Sequence, residues 1–143
     1  MHSNIFNSAK YLGVQLNSNS RDDDHMLRHL RTFYAKSNAI LRKFHYCYSD
    51  VKLLLFQSYY MPAYCSHLWA NYSQSTYCKL RIAFNKVHRR IMDYGKRESA
   101  SNMYVINNID CFNVFIRKNI QGFIKRVCAI ENELVQNVLL LLN

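Results

Sequence analysis

Apolar residues recur every three to four positions through most of the chain, and this spacing predicts amphipathic α-helices. Three ranges show it over several turns: 26–44, 77–94 and 111 to about 131, with a shorter helix predicted over 99–106. Glycine and proline are scarce, at 3 and 1 residues, which argues against an all-β fold with many tight turns. We therefore predict a mainly α fold: a bundle of about five or six helices around a buried central helix.

The range 51–69 is the densest apolar stretch and is predicted to be that central helix. Residues 53–56 are Leu, Leu, Leu and Phe, which together cover nearly every direction around a helix. A helix that is apolar on all sides is expected to be buried. Pro62 lacks a backbone donor and clashes with the preceding turn, so the helix is expected to kink or split there.

Small polar residues precede the predicted helices and can accept hydrogen bonds from the free N–H groups of the first turn. Gly95 is expected to end the helix over 77–94, because glycine adopts the left-handed conformation at low cost. The expected N-caps are Ser49 or Asp50 for the central helix, Ser75 or Thr76 for the helix over 77–94, and Asp110 for the last helix.

The two ends of the chain differ from its middle. Residues 5–17 are expected to form a short extended or β segment, because Tyr11, Leu12 and Val14 suit a strand and Gly13 suits a bulge. The tail over 132–143 is expected to continue as a helix, whose exposed leucines indicate a missing partner or a truncated end.

The chain of 143 residues carries a formal net charge of +10, which favours an anionic partner, most commonly nucleic acid. An anionic membrane surface is the alternative, but no apolar run approaches the roughly 20 residues of a membrane span. The five cysteines form no Cys-x-x-Cys pair, as expected for reduced and mostly buried thiols. We expect an intracellular protein, nuclear or cytoplasmic, that is not secreted.

Two groups of polar residues have a catalytic and a structural interpretation. Asp22, Asp23 and Asp24 match the carboxylates of a two-metal site, but they also suit the start of a helix, where negative charge is stabilised. We favour the helix start. His25 and His29 have the i, i+4 spacing of some metal ligands, but no third ligand lies nearby in the sequence. We expect surface histidines, and no metal site.

The helix over 77–94 carries the candidate binding residues. Positive side chains run beside its apolar stripe and continue past its end, so they can follow the phosphates of a nucleic acid. A solvated basic face is the alternative. The candidate nucleic-acid-binding residues are Lys79, Lys86, Arg89, Arg90, Lys96 and Arg97.

Three sequence blocks occur in order and cover most of the chain from about residue 10 to about residue 126. They are Lys10-Tyr11-Leu12-Gly13-Val14; Lys52-Leu53-Leu54 with Ser58-Tyr59, Pro62-x-Tyr64 and Leu68-Trp69; and Leu80-x-x-Ala83-Phe84-Asn85-x-x-x-Arg89-Arg90-Ile91. In this order and spacing they resemble the end of the palm and the thumb of non-LTR retrotransposon reverse transcriptases, which are RNA-directed DNA polymerases.

The resemblance divides the chain into a palm remnant over 1–20 and a thumb-like helical domain over 21–143. It implies that Tyr11, Leu12 and Gly13 belong to the primer grip, the hairpin that positions the end of the growing strand. The favoured alternative is an N-terminal strand with no sheet to join, because the rest of the palm is missing. The parent enzymes use Mg²⁺, but their catalytic carboxylates precede the first block and have no counterpart here. The fragment is therefore expected to lack enzymatic activity and to need no cofactor of its own.

The expected role is sequence-independent binding of a template–primer duplex, either RNA–DNA or RNA, through its phosphates. A catalytic half of palm and fingers, acting in trans, is a further candidate partner, and no membrane partner is expected. Two alternatives are a helical interaction or structural module with a solvated basic surface, and a retrotransposon remnant without function.

Overall fold

The structure is a computed structural model, and it describes residues 8–11, 14–18, 21–60, 66–69, 71–130 and 132. Over these residues the chain forms five α-helices, a short 3₁₀ helix and a two-stranded hairpin, which confirms the predicted mainly α fold. The elements are β1 (Ser8–Tyr11), β2 (Val14–Asn17), α1 (Asp23–Lys43), α2 (Ser49–Tyr60), the 3₁₀ helix (Ser66–Leu68), α3 (Gln74–Ile91), α4 (Ala100–Ile106) and α5 (Phe112–Cys128).

Helix α3, and not the stretch over 51–69, is the centre of the bundle. It packs against α1, α2 and α5, and its buried face runs along nearly its whole length. The regular spacing of these apolar residues explains the packing, since each turn of α3 contributes at least one side chain to the core. The buried residues of α3 are Thr76, Leu80, Ala83, Phe84, Val87, His88 and Ile91.

Helix α2 is only partly buried, so the prediction that its apolar residues are enclosed on all sides is wrong. Phe56 is fully buried, whereas Leu54 is 63% exposed and Val51 is 42% exposed. The reason is that α2 packs against α1 and α3 with one side and leaves the opposite side to solvent. The described part of α2 ends at Tyr60 and a 3₁₀ turn lies at Ser66–Leu68, so one α-helix does not run on to residue 69; Pro62, where the break is predicted, lies outside the described residues.

The extended N-terminal segment is an antiparallel hairpin. Tyr11 pairs with Val14, so Leu12 and Gly13 are the two residues that connect the strands, and both lie outside the described residues. The predicted extended segment thus contains both strands of the hairpin, which pair with each other. Strand β2 contacts α1. The hairpin thus joins the bundle through α1.

The first turn of α1 is hydrogen-bonded to the segment that leads into α3. The backbone N–H of Asp22 donates to the carbonyl of Asn71 at 2.8 Å, and the Asp22 carboxylate accepts from the N–H of Asn71 at 2.9 Å. Asp23 accepts from both the N–H and the hydroxyl of Ser73, at 2.9 and 2.8 Å. The interpretation of the aspartate triplet as a helix start is therefore confirmed, although Asp22 makes no side-chain capping bond.

Helix α3 begins earlier than predicted, at Gln74 rather than at residue 77. Ser73 is its N-cap and accepts from the N–H of Thr76 at 3.2 Å, so the prediction of Ser75 or Thr76 as the cap is wrong. Burial raises the pKa of Asp23, but hydrogen bonds from Ser73 and Thr76 and the charge of Arg21 outweigh it and lower the pKa to about 2. Asp23 and Ser73 are 50 positions apart, and local patterns do not reveal such a pairing.

The ends of α2 and α5 also differ from the prediction. Helix α2 begins at Ser49, so Ser49 and Asp50 lie within the helix rather than before it. Helix α5 begins at Phe112 and has Cys111 as its N-cap, so the prediction of Asp110 as the cap is wrong; the Asp110 carboxylate accepts from Lys118 at 2.6 Å. Helix α5 ends at Cys128, Asn132 is not helical, and residues 133–143 of the predicted helical tail lie outside the described residues.

The described cysteines are less buried than predicted. Cys47, Cys78 and Cys111 are half-buried free thiols and Cys128 is an exposed one, while Cys65 lies outside the described residues. Their positions beside the core, rather than on the buried stripes, account for this. Within the described ranges, no helix has the length and apolar character needed to cross a membrane.

Candidate nucleic-acid interface

A basic groove lies at the C-terminal end of α3. Its volume is about 700 Å³, and its walls come from the last turns of α3, the turn that follows, and one residue of α1. Four of the predicted binding residues line it together. The lining residues are Leu41, Lys86, Arg89, Arg90, Asp93, Tyr94 and Lys96.

The helical repeat explains which cations meet in the groove. Lys86 and Arg90 are four residues apart, so they lie one turn apart on the same exposed face of α3. Lys79 is exposed but lies seven residues before Lys86, about 10 Å along the helix axis. Neither Lys79 nor the exposed Arg97 lines the groove.

The turn after α3 returns the chain alongside the helix end. The N–H of Met92 donates to the carbonyl of His88 at 3.0 Å, and that of Tyr94 donates to the carbonyl of Arg89 at 2.9 Å. The second bond is typical of a Schellman motif, in which the intervening residue adopts a left-handed conformation. Asp93 is that residue, with φ of 58°, and so the prediction that Gly95 ends the helix is wrong.

Gly95 instead helps to close the next turn, which carries Lys96. Its N–H donates to the side chain of Glu98 at 3.2 Å, and its carbonyl accepts from the N–H of Glu98 at 3.2 Å. Arg89 reaches the same turn, since its Nη2 donates to the carbonyl of Glu98 at 2.8 Å. These bonds hold the turn against α3 and place Lys96 at the groove.

Hydrogen bonds also orient the two arginines. Arg90 donates to Oδ1 of Asn38 on α1 at 3.3 Å, which ties one groove wall to the neighbouring helix. Arg89 is half-buried, and its Nε has no hydrogen-bond partner among the described residues. Arg89 is thus a half-buried part of the wall, while Lys86, Arg90 and Lys96 are exposed.

The groove has a net positive charge. In the part of the chain that the structure describes, ion pairs join Arg21 to Asp23 and Lys118 to Asp110; none involves a cation of the groove. Asp93 is the one acidic residue among the described lining residues. The negative end of the α3 dipole offsets part of this charge, and the remainder is available to an anion.

Tyr94 is the aromatic residue of the groove, and its position is supported from behind. Its hydroxyl accepts from Nδ2 of Asn107 at 2.9 Å, and the same amide donates to the carbonyl of Met103 at 2.7 Å. The ring of Tyr94 also meets the ring of His88 edge-on, with centroids 6.2 Å apart. The groove is therefore linked to the core through Tyr94.

His88 is a buried polar residue that the sequence analysis did not single out. It lies between the rings of Phe56 and Tyr104, at centroid distances of 5.1 and 5.3 Å. Burial, with a smaller contribution from the charge of Arg89, lowers the pKa of His88 to about 4, so the ring is neutral at pH 7. Its spacing of four residues from Phe84 was the available signal, because it puts His88 on the buried stripe.

The histidine pair on α1 is not at the surface as predicted. His25 is buried, and its ring meets those of His29 and Trp69 at centroid distances of 4.6 and 6.2 Å. Burial lowers the pKa of His25, which favours its neutral form. Among the described residues, no group of three or more potential metal-binding side chains comes together.

The primer-grip-like residues are described only in part. Tyr11 is the last residue of β1, while Leu12 and Gly13 lie outside the described residues. Their predicted role stays a prediction.

Comparison of the chain with protein-family models, with curated protein sequences and with solved structures finds no match.

Proposed function

We propose that this chain is a fragment of a non-LTR retrotransposon reverse transcriptase, spanning the end of the palm and the thumb, and that it binds a template–primer duplex without reading its sequence. The three ordered sequence blocks support the family. The single observation that supports binding is the meeting of Lys86, Arg89, Arg90 and Lys96 in one groove.

The chemistry of the groove suits phosphates. Arginine and lysine side chains bind phosphate oxygens, and each neutralised phosphate releases counterions. Contacts of this kind position a protein on a nucleic acid but carry no sequence information directly. Binding is therefore expected to be salt-dependent and nearly independent of sequence.

The proposal assigns no catalysis to this chain. Mg²⁺ in the parent enzymes requires carboxylates that converge on the ion. Here the carboxylates of Asp22 and Asp23 accept hydrogen bonds from Asn71 and Ser73, so they do not fit such a site. A catalytic half of palm and fingers, supplied in trans, is the proposed source of activity in any assembly that polymerises.

The test is binding of the purified chain to a labelled RNA–DNA duplex over a series of salt concentrations. A straight log–log plot with a steep negative slope is the expected result, because each phosphate contact adds about −0.9 to the slope. Two duplexes of unrelated sequence should give the same affinity. Absence of binding at low salt, from a chain that melts cooperatively, would contradict the proposal.

One observation favours the alternative of a helical interaction module. Apolar side chains at the start of α2 and just before it face solvent. Tyr46 and Tyr48 precede the helix and are 91% and 87% exposed. Val51 and Leu54 are on α2, about one turn apart, and are also exposed. Exposed apolar surface of this kind is typical of protein contacts. Binding of a protein partner by a chain that does not bind nucleic acid would support this alternative. The absence of a cooperative melt would instead support a non-functional remnant.

A further inference from the structure

The basic groove contains a feature that phosphate binding alone does not use. Tyr94 and Leu41 line it together with the four cations. Cations suffice to hold a phosphate backbone, whereas an aromatic ring can also stack on a nucleic-acid base, which every base allows through its π-face. The groove thus offers both kinds of contact within one space.

The ring of Tyr94 is held in place before any ligand arrives. Asn107 donates to its hydroxyl at 2.9 Å and is itself bonded to the carbonyl of Met103. On the core side, the ring of His88 lies nearly perpendicular to the ring of Tyr94, with centroids 6.2 Å apart. A ring fixed in this way loses little conformational entropy on binding, and so it forms a preorganised platform.

The positive residues around Tyr94 are held as well. Arg90 is bonded to Asn38, and Arg89 to the carbonyl of Glu98, while Lys96 belongs to the turn that Gly95 and Glu98 close. The groove volume of about 700 Å³ falls within the roughly 300–1,000 Å³ typical of small-ligand sites. A phosphate and the base attached to it therefore fit into the groove together.

We infer that the groove binds an unpaired nucleotide, with its base stacked on Tyr94 and its phosphates held by Lys86, Arg90 and Lys96. The ligand class is single-stranded nucleic acid, including the unpaired end of a duplex. A base within a continuous duplex cannot reach such a ring unless it leaves the stack. This inference rests on the proposed function in one respect, since both require the groove to bind nucleic acid.

The test compares two single-stranded oligomers of equal length: a labelled oligothymidylate, and an abasic oligomer with the same phosphates. We expect the wild-type chain to bind the oligothymidylate roughly 5- to 150-fold more tightly, the range that stacking of one base provides. Tyr94→Leu should remove the difference, because it deletes the ring. Tyr94→Phe should keep most of it, because the ring that stacks remains, although the bond from Asn107 that positions the ring is lost.

Tyr46→Leu is the matched control, since Tyr46 is an exposed tyrosine outside the groove, and it should leave the preference unchanged.

Equal wild-type affinity for the two oligomers would overturn the inference, as would a Tyr94→Leu variant that keeps the preference. If both oligomers bind equally and a charge-reversed groove binds neither, the proposed function stands without the inference. If neither oligomer nor duplex binds, both are overturned. Circular dichroism reports whether Tyr94→Leu folds. If it does not, equal wild-type affinity for the two oligomers, or loss of the preference in Tyr94→Phe, would still overturn the inference.

Discussion

The ring of His88 lies nearly parallel to the ring of Phe56, with centroids 5.1 Å apart, and both side chains are fully buried. This pair joins α2 to α3 and places an ionisable group in the core. Because the pKa of His88 falls from 6.5 to about 4 on folding, the unfolded chain binds a proton in this interval and the folded chain does not. The free energy of unfolding should therefore be highest above pH 6.5 and should fall as the pH drops towards 4.

The expected decrease from His88 is about 3 kcal/mol by pH 4, since each unit of pKa difference corresponds to about 1.4 kcal/mol. Urea unfolding monitored by circular dichroism at pH 7.5, 5.5 and 4 measures it. His88→Phe keeps a ring between Phe56 and Tyr104 and should make the decline shallower. His45→Phe changes an exposed histidine and should leave the decline as it is; an equal decline in the His88→Phe variant would contradict this account.

Two apolar residues of α2 should differ strongly in their effect on stability. Phe56→Ala should cost about 3–5 kcal/mol, because it leaves a cavity next to Phe84 and His88. Leu54→Ala should cost less than about 1 kcal/mol, since Leu54 is largely exposed. Thermal or urea unfolding of both variants checks the difference, and comparable destabilisation would mean that α2 is buried on both sides.

Asp23 should stabilise the junction between α1 and α3. Asp23→Ala removes the acceptor of two hydrogen bonds from Ser73 and should cost about 1–3 kcal/mol at neutral pH. Because the pKa of Asp23 is lowered to about 2, this contribution is present above pH 4 and disappears as the pH falls towards 2. Asp50→Ala is the control, an exposed acid in the first turn of α2; it should cost clearly less, and equal destabilisation would assign the effect to the helix dipole.

Charge reversal in the groove should weaken binding of the RNA–DNA duplex. The variant Lys86→Glu, Arg90→Glu, Lys96→Glu changes three groove cations and should reduce the magnitude of the salt slope by up to about 3, since each phosphate that a cation no longer neutralises lowers it by about one. Helical content should be unchanged, because Lys86, Arg90 and Lys96 are exposed.

The matched control changes the same amount of charge outside the groove. Its substitutions are Arg31→Glu, Lys125→Glu and Arg126→Glu, all at exposed positions. A control whose affinity and salt slope fall as far as those of the groove variant would show that net charge, and not the groove, carries the binding. As a finer comparison, Lys79→Glu should weaken binding less than Lys96→Glu, since only Lys96 lines the groove.

Local sequence patterns were enough to predict the helices α1, α3, α4 and α5. The apolar repeats of α1, α3 and α5 could be read directly, because helix periodicity acts over a few neighbouring residues. The hairpin was predicted as an extended segment for the same reason. Lys86 and Arg90 could be placed on one helix face, since their spacing alone decides it.

Other features follow from the packing of the helices and could not be predicted from local sequence patterns. Leu54 faces solvent because of where α1 and α3 lie, and Ser73 caps α3 because Asp23, 50 positions earlier, holds it. Lys96 joins the groove because Asp93 and not Gly95 takes the left-handed conformation, a choice settled by the packing of the turn against the helix end. The first two outcomes depend on residues far apart in the chain, and the third depends on a turn packing against a helix end, so all three need contacts that exist only in the folded chain.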